Sequence, residues 1–456
     1  MSPTPQEYAA LVQEARSFSF PSTVRRADII ESLPEPAPFN LVHIITGMRR
    51  TGKTFYLFQL VEQLMRMGIP RDRIFYFNFA DDRLNPAPPT LLNDVVEEFW
   101  RQVPGAREGG TYLFLDEVQE TEDWQGFCQR IAEHERVTLV ITGSSSKLSA
   151  DEIASTFRGR SLSYRMFPLS FREFCAFHGV EAPSQNELEH IGAVAPQLKT
   201  TLEGMYDRFL IEGGFPGVQH LPQGPRTLLL QSYARDVVAR DVVERYPRLD
   251  IALANQLALF CIRNSACDLS VNKLVNGLRA AGYRTSWETV NEAIRLFQQA
   301  HMIELLPEFS TSLSPNTTAP AKVYAADAGL VYAVSRANQQ DMGKRLETAV
   351  FTELDRRNSE SRLETITSYT APGGKQEKID FLVGDSLTSE PYALYQVTVD
   401  MTAERTRSRE VGSLQIAMRN TRAKEGTIIT LREECRIDTE SGAIEVLPAW
   451  KWSLLG

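Results

Sequence analysis

One stretch of the chain has the residue types and spacing that suit phosphate chemistry: Gly47-Met48-Arg49-Arg50-Thr51-Gly52-Lys53-Thr54. Glycines near both ends let the backbone wrap an anion, and successive N–H groups aimed inward supply its hydrogen bonds. Lys53 adds an ammonium long enough to reach the β- and γ-phosphates of a nucleotide. The Thr54 hydroxyl is a hard oxygen ligand suited to Mg²⁺. The loop follows the apolar run LVHIIT and opens the amphipathic run FYLFQLVEQL. A strand before and a helix after are what the chemistry requires, because the positive end of the helix then faces the phosphates. ATP with Mg²⁺ is the ligand expected here.

A second apolar run, TYLFLDE, ends in adjacent carboxylates, Asp116 and Glu117. In doubly wound parallel sheets, ligands bind just beyond the carboxyl ends of the strands. Asp116 is therefore expected to hold Mg²⁺, directly or through water, and Glu117 to polarise the attacking water. A third run, VTLVITGSSS, finishes in small polar residues. Ser144 is the candidate to sense the γ-phosphate, with Thr142 and Ser145 as alternatives and a plain helix cap as the competing role. Beyond it, FRGRSLSYR carries Arg158 and Arg160. Either would serve as a surface ion-pair partner. Arg160 is the candidate arginine finger, a cation that neutralises transition-state charge and is often supplied by a neighbouring subunit.

These residues need a sheet to position them. Between about 39 and 168, short β-branched and aromatic runs alternate with amphipathic helical patterns, as in a parallel sheet covered on both faces. Strands are expected at 40–47, 73–79, 111–118, 137–143 and 162–167, with helices at 91–103 and 124–134. The near-continuous apolar character of these strands suits burial on both faces. From about 170 to 245 the pattern is helical, broken at GGFPG (213–217), and reads as a lid or connector. Residues 250–325 suggest packed helices followed by a hairpin, and strands return from 326 onward around a helix at 345–357. The organisation expected is thus an N-terminal helical segment (1–38), a phosphate-loop core (39–170), a helical lid (171–249), a helix-and-hairpin unit (250–325) and a separate α/β domain (326–456).

Size and composition agree. At 456 residues the chain exceeds one ordinary core. It is 43% hydrophobic and 23% charged, and no apolar run approaches the roughly 20 residues of a membrane helix. Its five cysteines are scattered, without the pairing of a zinc site or a disulfide framework, and the N-terminus is polar, unlike a signal peptide. A reducing cytoplasm is the expected compartment. The formal net charge of −9 argues against a surface coated for nucleic acid but leaves a local basic groove open.

The stretches GMRRTGKT, YFNFADDRL, LFLDEVQ, ITGSSSKL, GRSLSYRMFPLSFREF, GGFP, GKRLETAVFTEL and KIDFLV, taken together, resemble a large prokaryotic family of AAA-domain ATPases that carry a C-terminal domain of unknown function. The resemblance implies an AAA+-type P-loop ATPase with a helical lid, a winged-helix-like middle and a C-terminal PD-(D/E)XK nuclease-like domain. It implies no known substrate; the leading expectation is a homo-oligomer rearranged by ATP hydrolysis, with DNA or another nucleic acid as its partner. Thr51 stands where members often have a small hydrophobic residue, a change harmless to phosphate binding. In a winged helix, 286–299 would be the recognition helix, exposing Arg284, Glu288, Asn291 and Arg295. Glu288 and Glu292 would meet phosphates unfavourably there. In the nuclease-like domain, Glu347, Asp380 and Gln396 fall at the metal-binding positions. Thr398 occupies the place of the catalytic lysine, whose work Lys375 or Lys378 would have to do. The expectation is a degenerate nuclease fold kept for binding or assembly.

Overall fold

The computed structural model describes residues 4–21, 23–143, 157, 159–190, 192–309, 320–359, 365–371, 378–385 and 390–455, divided between two compact units, 1–166 and 167–456. The first unit is built on a five-stranded parallel sheet: β1 Val42–Thr46, β2 Ile74–Asn78, β3 Thr111–Asp116, β4 Val137–Thr142 and β5 Ser161–Arg165. Its spatial order is β2-β3-β4-β1-β5. The five strands anticipated from the apolar runs are all present, with ends moved by one or two residues.

Strand periodicity explains why these runs are apolar throughout. Alternate residues point to opposite faces, and here each face has its own core. Val42, Ile44, Phe75, Phe77, Leu113, Leu115, Leu139 and Ile141 pack with helix α1 (Pro5–Ser17) and the helices Leu91–Gln102 and Trp124–His134. Ile45, Ile74, Tyr76, Tyr112, Phe114 and Val140 pack with helix α2 (Lys53–Arg66), through Tyr56, Leu57, Leu60, Val61 and Leu64. Every residue of β3 and β4 is buried. The N-terminal helix is started by Pro5 and by a capping box between Thr4 and Glu7, and it places Tyr8, Leu11 and Val12 in the first of these cores.

The second unit begins with helices, Pro196–Glu212 and Gln223–Val237 among them, and the break between these two is the GGFPG stretch. Its physical cause is Asp327. This buried carboxylate accepts hydrogen bonds from the N–H groups of Gly214, Gly329 and Leu330, at 2.7, 2.8 and 3.2 Å. Gly213 has φ +72°, and a Cβ there would lie 2.0 Å from Asp327 Oδ1. Only glycine satisfies both the backbone and the space.

Next comes the order helix Ile251–Arg263, β6 Cys267–Leu269, helix Val271–Ala280, helix Trp287–Gln299, β7 Ile303–Leu306 and β8 Ala321–Ala325. The three strands form an antiparallel sheet in the order β6-β8-β7. The expected hairpin is therefore present, joined by a third strand. After the helix Met342–Asn358, a six-stranded sheet runs in the order β13-β14-β12-β11-β10-β9. Its strands are β9 Thr365–Thr370, β10 Lys378–Asp385, β11 Glu390–Val397, β12 Glu425–Thr430, β13 Cys435–Thr439 and β14 Gly442–Pro448, and helix Glu404–Thr421 lies between β11 and β12 in the chain. β9 and β13 were not anticipated. Both are edge strands, and β13 exposes every second residue, so neither needs a continuous apolar run. Among the described residues, no helix is long and apolar enough to cross a membrane.

Gly213→Ala is expected to lower stability by at least about 1 kcal/mol, because it imposes both a left-handed alanine and a clash with Asp327. Its melting temperature should fall, whereas Gly224→Ala, with open space around its Cβ position, should change little.

Candidate functional site

β1 leads into the loop and α2 leads out of it. Gly47 has φ +141°, and a Cβ there would sit 2.3 Å from the Met166 carbonyl oxygen. Gly52 caps α2 with φ +101° and brings no side chain of its own to the first N–H groups of the helix. Those donors face the loop, the arrangement that binds anions at helix N-termini. Lys53 is buried, and its Nζ donates to the carbonyls of Gly47 at 3.0 Å and Met48 at 3.3 Å. The Thr51 hydroxyl donates to the Met48 carbonyl at 2.9 Å, so a polar residue at this buried position stitches the loop internally. Met48 is buried, while Arg49 and Arg50 are progressively more exposed.

The acidic end of β3 meets this loop. Asp116 is fully buried and accepts from three hydroxyls: Thr54 at 2.8 Å, Tyr76 at 3.1 Å, and Thr142. Burial pushes its carboxyl above the ordinary range. The hydroxyls of Thr142, Thr54 and Tyr76 pull it back down, while the charge of Glu117 adds to the rise. Burial, with Asp116 close by, also raises the Tyr76 phenol. Glu117 adopts a left-handed backbone, φ +54°, at which β3 ends, and its N–H donates to Thr142 Oγ1 at 3.2 Å. Its carboxylate accepts from the Gln119 amide. Thr54 and Asp116 present hard oxygen donors side by side, and this donor set fits Mg²⁺.

Of the residues singled out from the sequence, the structure brings together Gly47 to Thr54, Asp116, Glu117 and Thr142. Thr142 is the alternative sensor, and it touches both acids. Ser144, Ser145 and Arg158 lie outside the described residues. Arg160 is at the other end of the sheet. Its carbonyl accepts from the Val42 N–H at the start of β1, about 16 Å along the strand from the loop. Its guanidinium pairs with Glu133 and is half-exposed.

Two contributors were missed. Tyr76 lies in the YFNFADDRL run, where an apolar reading hides the hydroxyl. Arg26 lies in a stretch without periodicity. It is buried and donates to the Thr51 carbonyl at 2.8 Å. Gln59 of α2 holds the backbone of Arg26 in both directions, at 2.8 and 3.0 Å.

The second set of candidates, in the C-terminal domain, also converges. Glu347 and Asp380 both accept from Lys322 Nζ, at 2.8 and 3.0 Å. Tyr324 OH donates to Glu347 at 2.7 Å, and the Val397 N–H donates to Asp380 at 3.0 Å. Burial and the charge of Asp380 raise the Glu347 carboxyl, with Lys322 and Tyr324 opposing. Gln396 donates to Glu410 at 2.7 Å and accepts from the Asp380 N–H at 3.3 Å. Lys378 pairs with Asp268 instead, and Lys375 lies outside the described residues. Lys322 and Tyr324 had no signal in the sequence, being alternate residues of an ordinary hairpin strand.

Residues 40–175 match the family model of an AAA domain, and residues 203–341 match that of a domain of unknown function, DUF8612. The latter match falls in the middle of the chain, whereas the sequence resemblance had put the domain of unknown function at the C-terminus. An uncharacterised protein of Methanocaldococcus jannaschii is 29% identical over 422 residues, 91% of this chain and 88% of that one. An uncharacterised protein of Haemophilus influenzae is 25% identical over 361 residues, 79% and 83% of the two chains. Among solved structures, a Walker-type ATPase of Pyrococcus abyssi aligns with a TM-score of 0.36 at 12% identity, covering 73% of this chain and 95% of that one.

Thr142→Val removes a hydrogen bond to a buried carboxylate and should cost about 1.5–3 kcal/mol in denaturant unfolding of the nucleotide-free protein. Thr138→Val, four residues earlier on β4, loses a 2.7 Å bond to the neutral Pro34 carbonyl and should cost less. The first unit thus carries an AAA-type P-loop domain with its phosphate loop and acidic strand end assembled.

Proposed function

We propose that this chain is a Mg²⁺-dependent ATPase of AAA+ type, working as an oligomer whose arrangement changes with ATP hydrolysis and acting with nucleic acid. The observation that carries the reading is the convergence of Lys53, Thr54, Asp116 and Thr142 where β1, β3 and β4 end. The N–H groups of the loop and of the α2 start would bind the β- and γ-phosphates. Lys53, resting on two loop carbonyls, would exchange them for phosphate oxygens. Thr54 and Asp116 would hold Mg²⁺, which supplies charge neutralisation at the phosphates. Glu117, steadied by Gln119, would orient the attacking water. Arg160 stands too far from the loop of its own chain to reach a γ-phosphate, which supports a finger role only toward a neighbouring subunit.

The order helix–strand–helix–helix–strand–strand in the middle supports a winged-helix-like module, and the mixed six-stranded sheet with helix Met342–Asn358 supports a PD-(D/E)XK-like terminus. A second reading is an ATP-gated switch that works through protein contacts, and helix Trp287–Gln299 favours it. Arg295 is tied to Glu292 at 2.6 Å, and Trp287 is 46% exposed, a surface better suited to protein than to phosphate. A nucleotide-gated nuclease is the third, resting on Glu347 and Asp380.

Lys53→Ala should lose nucleotide binding by isothermal titration. Glu117→Gln should still bind ATP and hydrolyse it at least about a hundredfold more slowly. Equal turnover by wild type and Glu117→Gln would remove Glu117 from the reaction. ATPase rates measured at low salt with and without DNA separate the two leading readings: a marked rise supports action on nucleic acid, and no change supports the switch.

A further inference from the structure

We infer that Lys322 stands in place of a divalent cation in the C-terminal domain, making its carboxylate pair a metal-free clamp rather than a nuclease centre. The inference rests on the nuclease-like reading of that domain. Cleavage of a phosphodiester by such a fold needs Glu347 and Asp380 to share a metal ion and a lysine to steer water. The two carboxylates do converge, but the cation between them belongs to the chain.

Four observations support this. Lys322 is buried and donates to both carboxylates within hydrogen-bond distance. Both bonds run from one ammonium, so the two carboxylates already share a cation. A divalent cation entering here would meet that charge at contact range, and repulsion at such a distance in a poorly solvated site is severe. The other polar groups are also committed: Val397 N–H donates to Asp380 Oδ2, Tyr324 OH donates to Glu347 Oε1, and Gln396 donates to Glu410 and accepts from the Asp380 N–H. At the position of the family's lysine, the Thr398 hydroxyl donates to the Asp400 carbonyl at 3.3 Å, and Lys378 is held by Asp268. Among the described residues, no group of three or more His, Cys, Asp or Glu side chains is arranged to hold a metal ion.

The triad has a positive role. Lys322 and Tyr324 are on β8 of the small sheet, Glu347 is on the helix Met342–Asn358, and Asp380 is on β10. Tyr324 also stacks on Phe351 of that helix, with ring centroids 4.1 Å apart. The carboxylates thereby lock the hairpin of the middle module to the C-terminal sheet, all within the second unit. A buried ion group of this kind specifies one packing arrangement, since any sliding of β8 leaves two carboxylates unpaired.

The test uses full-length protein without nucleotide and Mn²⁺ as the probe, so that the outcome is independent of ATP turnover at the phosphate loop. Wild type, Asp380→Asn and Glu347→Gln should bind the same number of Mn²⁺ ions with the same affinity. None should nick supercoiled plasmid in Mg²⁺ or Mn²⁺. A Mn²⁺ site or a nicking activity present in wild type and lost in either variant overturns the inference. Lys322→Met and Asp380→Asn should each lower the melting temperature, and the double variant should lose clearly less than the two shifts added together. Fully additive losses would likewise overturn it. The metal arm decides the matter even if Lys322→Met does not fold.

Discussion

A carboxylate cannot be buried at the end of an apolar strand unless something nearby compensates it. Asp116 is in that position, and its compensation comes from hydroxyls on three other elements: Thr54 on α2, Tyr76 on β2 and Thr142 on β4. The two strand hydroxyls are in reach because of the sheet register, which pairs Asn78 with Asp116 and Leu115 with Ile141, and sets Thr142 beside Ile45. The phosphate loop follows directly from the end of β1. Strand order, register and site therefore form a single constraint: a slip of one residue in β4 would turn Thr142 to the opposite face and leave the carboxylate short of a partner.

The chain partly buries acidic groups in a second place and solves the problem differently. Around Asp116 the partners are neutral hydroxyls, which can yield to an incoming cation without charge repulsion. Around Glu347 and Asp380 the partner is an ammonium on a neighbouring strand. The first arrangement leaves an unbalanced negative charge where Mg²⁺ would carry part of its coordination. The second is already largely neutralised. The distinction is one of electrostatics rather than of fold.

Loop conformation is supported from outside as well as by its glycines. Arg26 reaches the Thr51 carbonyl, and Gln59 and Tyr56 of α2 hold the backbone of the preceding segment through Arg26, Ile29 and Ile30. The same logic recurs at Gly213, where Asp327 caps the helix Ala328–Val334 and ties its first turn to the GGFPG stretch through backbone N–H groups. In both cases a buried charged side chain fixes irregular backbone, because such backbone lacks the regular ladder that would otherwise satisfy it.

Much of the first unit was legible in the amino-acid sequence. Five strands, the phosphate loop and the acid pair follow from local rules: apolar runs of strand length, glycine spacing, and carboxylates at a strand end. These features depend on residues that are neighbours in the chain, so spacing alone reveals them. The edge strands β9 and β13 escaped, since an edge needs no continuous apolar run. Tyr76, Arg26, Thr142's bond to Asp116, and the Lys322 triad were decided only by tertiary structure. Each joins residues far apart in sequence, 58 positions in the case of Lys322 and Asp380. A lysine on a hairpin strand looks like any solvated lysine until packing removes the water and brings two carboxylates to it. Composition and periodicity record which residues must be buried, and only the assembled sheets determine which charges are buried together.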